Sequence, residues 1–147
     1  MSAARLAAQC LALLGPVHGP VAVLGPGTAR LRAAVAGALP AAQDGDVPAG
    51  AVVVFLGAAV PPAERQAELR GLERRLRSGA PLVLVDHNQP RAGWRRVPAW
   101  LRLALAGLGP ARARYPAARE LAALGFAVER LRLARGERVQ LVLARRR

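Results

Sequence analysis

A chain of 147 residues is long enough for one domain with a real core and too short for two comfortable ones. Its formal net charge of +13 comes from 22 basic residues, all arginine, against 9 acidic ones, a field that attracts anionic partners. One cysteine, Cys10, and two histidines, His18 and His87, exclude an intrachain disulfide and offer no Cys/His cluster with metal-ligand spacing. No metal site is expected, and a reducing cytoplasm is the expected home.

Ala3–Leu14 carries helix formers with Leu6, Cys10 and Leu13 on a compatible face, which predicts an N-terminal helix rather than an export leader. Residues 6–29 are free of charge, but Pro16, Pro20 and Pro26 interrupt them and exclude a membrane-spanning helix. Val21–Leu24 reads as a strand, Gly25 and Gly27 as a turn, and Ala29–Leu39 as a helix. A strand that breaks into glycines and opens a helix lets the backbone approach a ligand, with free N–H groups pointing at it. PAAQDGDVPAG, from Pro40 to Gly50, is a loop.

Ala51–Gly57, AVVVFLG, is a continuous apolar run of the kind buried on both faces of a parallel sheet. Pro62 then suits the first turn of a helix whose Leu69, Leu72 and Leu76 share one face and which Gly79 is expected to end. Pro81–Val85 is the next buried strand, closing on Asp86-His87-Asn88. This alternation predicts right-handed crossovers and a parallel sheet. Trp94, Val97, Leu101, Leu105 and Leu108 recur at helical spacing with Arg95, Arg96 and Arg102 beside them, and packing of that stripe onto the sheet is expected over binding to a membrane surface. Pro116–Leu124 is a further helix stopped by Gly125, and Phe126–Leu133 and Val139–Ala144 flank the turn ARGE as an antiparallel hairpin.

The charge is lopsided. Residues 91–147 hold 14 arginines and 3 glutamates, whereas residues 41–90 hold 5 arginines and 6 acids. The basic C-terminal half could attract nucleic acid, acidic protein or phospholipid headgroups. Five scattered aromatics, Phe55, Trp94, Trp100, Tyr115 and Phe126, do not make a base-stacking platform, and solvated arginines are the preferred reading over specific nucleic-acid binding.

Three blocks, VAVLGPGTARLRAAVAGAL, AVVVFLGAAVPPAERQAELRGLERRLRSGAPLVLVDHNQP and YPAARELAALGFAVERLRLARGERVQLVLARR, give the chain a likeness to a known family. It resembles the class I S-adenosylmethionine (SAM)-dependent methyltransferases of the small-molecule type. The blocks look like that family's glycine-rich first strand and helix, its fourth strand, helix and fifth strand, and its final helix with the closing hairpin. The resemblance implies an α/β, Rossmann-like fold in reduced form: a mostly parallel sheet of about five strands with an antiparallel C-terminal hairpin, all within one domain spanning residues 1–147. The expected strand order is first, fourth, fifth, seventh, sixth in the family's sequence of strands.

The chain departs from the family where the cofactor would be gripped. Val23 stands where the first strand usually carries an acid, and Ala29 replaces the third glycine. Only the loop 40–50 stands where the family has two further strands, whose acids hold the cofactor's ribose and adenine. Asp44 and Asp46 lie near the right distance from the glycines, but no strand precedes them to fix their carboxylates. By the resemblance, Gly25, Gly27 and Asp86 would line SAM, and His87 would act as general base on a methyl acceptor. The alternative for His87 is a half-exposed histidine capping a turn, with Asp86 and Asn88 bonded to local backbone.

The expectation is therefore a methyltransferase-like protein without independent SAM binding, acting as a non-catalytic partner or scaffold. It would associate with itself or another protein through the exposed edge of its first strand. The alternatives are an active methyltransferase completed by oligomerisation and a basic nucleic-acid-binding module.

Overall fold

The structure, a computed structural model, describes residues 2–43, 45–105, 107–108 and 116–147. Ser2 opens helix α1 (Ala3–Leu14), its side chain accepting the Arg5 amide at 3.3 Å. Strand β1 (Val21–Leu24) leads through the glycine turn into α2 (Ala29–Ala36). Then follow β2 (Gly50–Val54), α3 (Pro62–Arg75), β3 (Pro81–His87), α4 (Gly93–Leu105), α5 (Ala117–Ala123), β4 (Phe126–Ala134) and β5 (Val139–Arg146). Helix α3 ends earlier than expected. Leu76 leaves it in an extended conformation to drop into the core, and Gly79, at φ +78°, turns the chain farther on.

The strand order is β1-β2-β3-β5-β4, which is the order the resemblance implies. β1, β2 and β3 pair in parallel, but β5 runs antiparallel to both β3 and β4. The sheet is thus mixed rather than mostly parallel. The reason is the four-residue turn 135–138, which returns β5 between β3 and β4 instead of crossing over. Strand alternation sends Val52, Val54, Val83 and Val85 to the face covered by α1 and α2. Val53, Phe55, Leu82 and Leu84 go to the face covered by α3 and α5.

The stripe on α4 does not pack on the sheet. Trp94, Val97, Leu101 and Leu105 are 60 to 81 % exposed, and the helix buries Ala99 and Leu103 instead. Both sheet faces are already occupied by other helices, so α4 can only cap the strand ends, meeting the molecule through a narrow side. Among the described residues no helix is long and apolar enough to cross a membrane.

On the face covered by α3 and α5 a buried charge cluster ties the helices to the strand ends. Arg65 of α3, fully buried, donates from one terminal nitrogen to Asp86 Oδ2 at 2.6 Å and from Nε to Glu120 Oε2 at 2.7 Å. Its guanidinium lies 4.2 Å from the Phe55 ring centroid. One side chain therefore clamps α3, β3, α5 and the end of β2. Removing one partner of such a cluster strands the others in a low-dielectric site. We expect Arg65→Met to lower stability by about 3–5 kcal/mol, read as a fall in the denaturation midpoint. A shift under about 1 kcal/mol, the range of an exposed pair, would contradict this account.

Cys10 lies in the α1 face of the core, fully shielded, and burial pushes its thiol up to about 12. The thiolate is the reactive form. A disulfide reagent at mildly alkaline pH should therefore leave the native protein unlabelled, and labelling should track unfolding as denaturant is added. Rapid labelling of the native protein would contradict this packing.

Candidate functional site

The sequence singles out the turn 25–28 and the end of β3, and the fold brings them to the same edge of the sheet. Gly25 has φ +97°, a backbone region that L side chains rarely adopt. A Cβ on Gly25 or Gly27 would fall 2.4 or 2.3 Å from the Val54 carbonyl oxygen. The glycines are therefore required by the close approach of β2, before any ligand is considered. The amides of this turn are engaged by the chain itself. Gly27 donates to Val54 O at 2.9 Å and Thr28 donates to Leu56 O at 2.9 Å, with the Thr28 hydroxyl donating to the same oxygen.

Glu68, half-buried on α3, lies near the Gly25 amide, Arg32 and Arg65. Desolvation dominates and pushes its carboxyl above the ordinary 4.5, while the Gly25 amide and the two guanidinium charges pull it back. A carboxylate from this chain thus sits at the turn.

Consecutive strand residues point to opposite faces, and this separates the two candidates at the end of β3. Asp86 faces α3 and α5, fully buried, with one oxygen on Arg65 and the other accepting the His87 amide at 2.7 Å. His87 faces the α1 and α2 side. Its Nε2 accepts the Gly57 amide at 2.9 Å, which places the proton of the neutral ring on Nδ1. Gln140 donates to the His87 carbonyl at 2.7 Å. In this arrangement His87 is a strut between the ends of β2 and β3.

A SAM ribose needs a carboxylate at the strand edge, and among the described residues none of the positions the resemblance points to offers a free one. Position 23 is valine, Asp86 is bonded to Arg65, and exposed Asp46 accepts the Gln43 amide at 2.8 Å. Asp44 lies outside the described residues, as does Tyr115. His18 lies far from this edge, lining a shallow depression with Gly15 and Arg77.

Beside His87 and Gly57 a cleft of about 230 Å³ opens beneath α4. Leu56, Leu103, Leu108 and Val139 give it apolar walls, and Arg102, Arg135 and Arg138 border it. Of these three the sequence marked only Arg102, as part of the basic stretch beside the α4 stripe, and nothing in their spacing marks Arg135 and Arg138 among the 22 basic residues. The same holds for Glu68 and Arg65, which read as the polar side of α3. Among the described residues no cluster of His, Cys, Asp and Glu could hold a metal ion.

No protein-family model and no curated protein matches the chain. Solved structures do. TnmH matches at a TM-score of 0.68 and 14 % identity, over 99 % of this chain and 55 % of its own. The pyocyanin biosynthetic protein PhzM matches at 0.64 and 16 %, over 99 % and 54 %. Human N-acetylserotonin methyltransferase, solved in complex with SAM, matches at 0.63 and 13 %, over 97 % and 51 %. The chain spans about half the length of these structures. With helix layers on both faces, this strand order and a reversed β5, the chain has the fold of the SAM-dependent methyltransferases.

Proposed function

We propose that this methyltransferase-fold chain does not hold SAM by itself and acts as a non-catalytic partner protein. The observation that carries the reading is the closed glycine turn. The amides of Gly27 and Thr28 donate to Val54 O and Leu56 O, with the Glu68 carboxyl near the Gly25 amide, so a ligand would have to displace bonds the chain already makes. Each buried polar group left unpaired costs about 1–3 kcal/mol, enough over several groups to weaken a cofactor by orders of magnitude.

The partner would dock on β1. The other edge strand, β4, is guarded by Glu129, Arg130 and Arg132 and by a bulge between Val128 and Arg130. β1 carries no charge. Its first residue is covered, since Val21 donates to Pro40 O and accepts from Ala42, but Val23 presents its backbone to the same edge two residues on.

A second reading is an active methyltransferase completed by another chain, favoured by the cleft beside His87. There Gly25 and Gly27 would approach SAM, and His87 would exchange its bond to Gly57 for one to the acceptor.

Calorimetric titration separates the two. The partner reading expects no saturable heat with SAM or S-adenosylhomocysteine at millimolar concentration, and a stable complex in light scattering with itself or a second protein. Saturable SAM binding by the isolated chain, lost in Gly27→Arg, would overturn it.

Glu68 gives an independent check on the closed turn. Its raised carboxyl favours the folded state while protonated, and that contribution is lost as pH rises from 4.5 through the raised value. Glu68→Gln should therefore flatten the fall in melting temperature over that window. An unchanged pH profile would remove Glu68 from the turn.

A further inference from the structure

Of the arginines in the basic half, those on β5 have partners. Arg145 pairs with Glu129 at 2.8 Å and Arg146 with Glu73 at 3.0 Å. Arg102 and Arg138 differ. Among the described residues neither side chain has a hydrogen-bond or ion-pair partner, and both line the cleft beneath α4, Arg138 while half-buried. Arg135 borders the same opening.

Among the described residues no acid lines this cleft. The nearest acid in sequence, Glu137, directs its carboxylate to the Arg91 amide at 2.9 Å. The turn bearing Arg135 and Arg138 is held in place from β3. Asn88 donates from Nδ2 to Glu137 O at 2.7 Å and from its amide to Arg138 O at 2.8 Å. Arg135 and Glu137 adopt left-handed backbone, at φ 52° and 67°, which few non-glycine residues do and which recurs at ligand sites. Arginines bordering a concave apolar surface concentrate positive potential, and their planar forks match a carboxylate.

We propose that the cleft is a binding site for a small organic carboxylate with an apolar body. The apolar walls take the body and the arginines take the charge, as in pockets where a few polar groups orient a mostly buried ligand. Size limits the class. A cavity of about 150 Å³ admits one benzene ring, so about 230 Å³ admits a single ring or short chain with its acidic group, and no nucleotide. This goes beyond the partner reading and is independent of SAM, since none of these residues belongs to the glycine turn.

The test is a titration of the full chain with benzoate, followed by amide chemical shifts, with neutral benzamide as the control. Saturable shifts at Gly57, Asn88 and Val139 are expected with benzoate, with benzamide at least tenfold weaker. Arg138→Gln and Arg102→Gln should each weaken benzoate about tenfold while the melting temperature stays put. Leu103→Trp, which fills the cleft and keeps every charge, should abolish binding. Equal affinity for benzoate and benzamide would overturn the proposal. So would shifts centred on the exposed Arg130 and Arg132, or full affinity in Leu103→Trp. Saturable SAM binding would refute the partner reading and leave this one standing.

Discussion

Arg65 is the constraint on which the strand ends depend. A guanidinium buried between two carboxylates is costly to desolvate and is retained only where geometry and hydrogen bonds compensate. Here its partners come from β3 and α5, and the Phe55 ring supports it from the end of β2. A one-residue slip of β3 would turn Asp86 toward the aliphatic layer under α1 and bring His87 beneath α3, leaving Arg65 with one partner. The register that satisfies Arg65 is therefore the one that delivers His87 to the opposite face, beside Gly57 and the cleft.

The same edge shows why a glycine motif does not by itself mean a ligand. Gly25 and Gly27 are needed because the Val54 carbonyl lies where a Cβ would be. A turn that lets two strands of one chain touch demands the same residues as a turn that lets a phosphate or ribose approach. What differs is where the amides point, and here those of Gly27 and Thr28 point at the end of β2 and the residues after it.

β2 and β3 were legible in the sequence because AVVV and PLVLV are unbroken apolar runs bounded by glycine and proline, a pattern with few other uses. The hairpin was legible from its turn residues, and the blocks resembling a methyltransferase gave the correct strand order. Other features were hidden for definite reasons. Helical spacing fixes which α4 residues share a face, but not whether another element is free to cover it, so the Trp94 stripe was misplaced. Arg65, Glu68 and Glu120 read as helix surface, since the distant partners that bury Arg65 lie on other elements. Asp86 and His87 were found by position on the strand, yet their separation onto two faces carries the consequence: one holds the fold together and the other meets the cleft.

The net charge of +13 divides along the same lines. Part of it is structural, in Arg65, Arg145 and Arg146, where each guanidinium has an acid within 3.0 Å. Part decorates the edge strand β4, where Arg130 and Arg132 discourage strand addition. What remains includes Arg102 and Arg138, which line one apolar cleft and have no partner among the described residues. A uniform basic coat would serve a polyanion; two guanidiniums at the mouth of a small apolar cavity suit a single acid group. The arginines of the proposed carboxylate site are thus ones without a partner among the described residues, and the folded geometry distinguishes them from the rest.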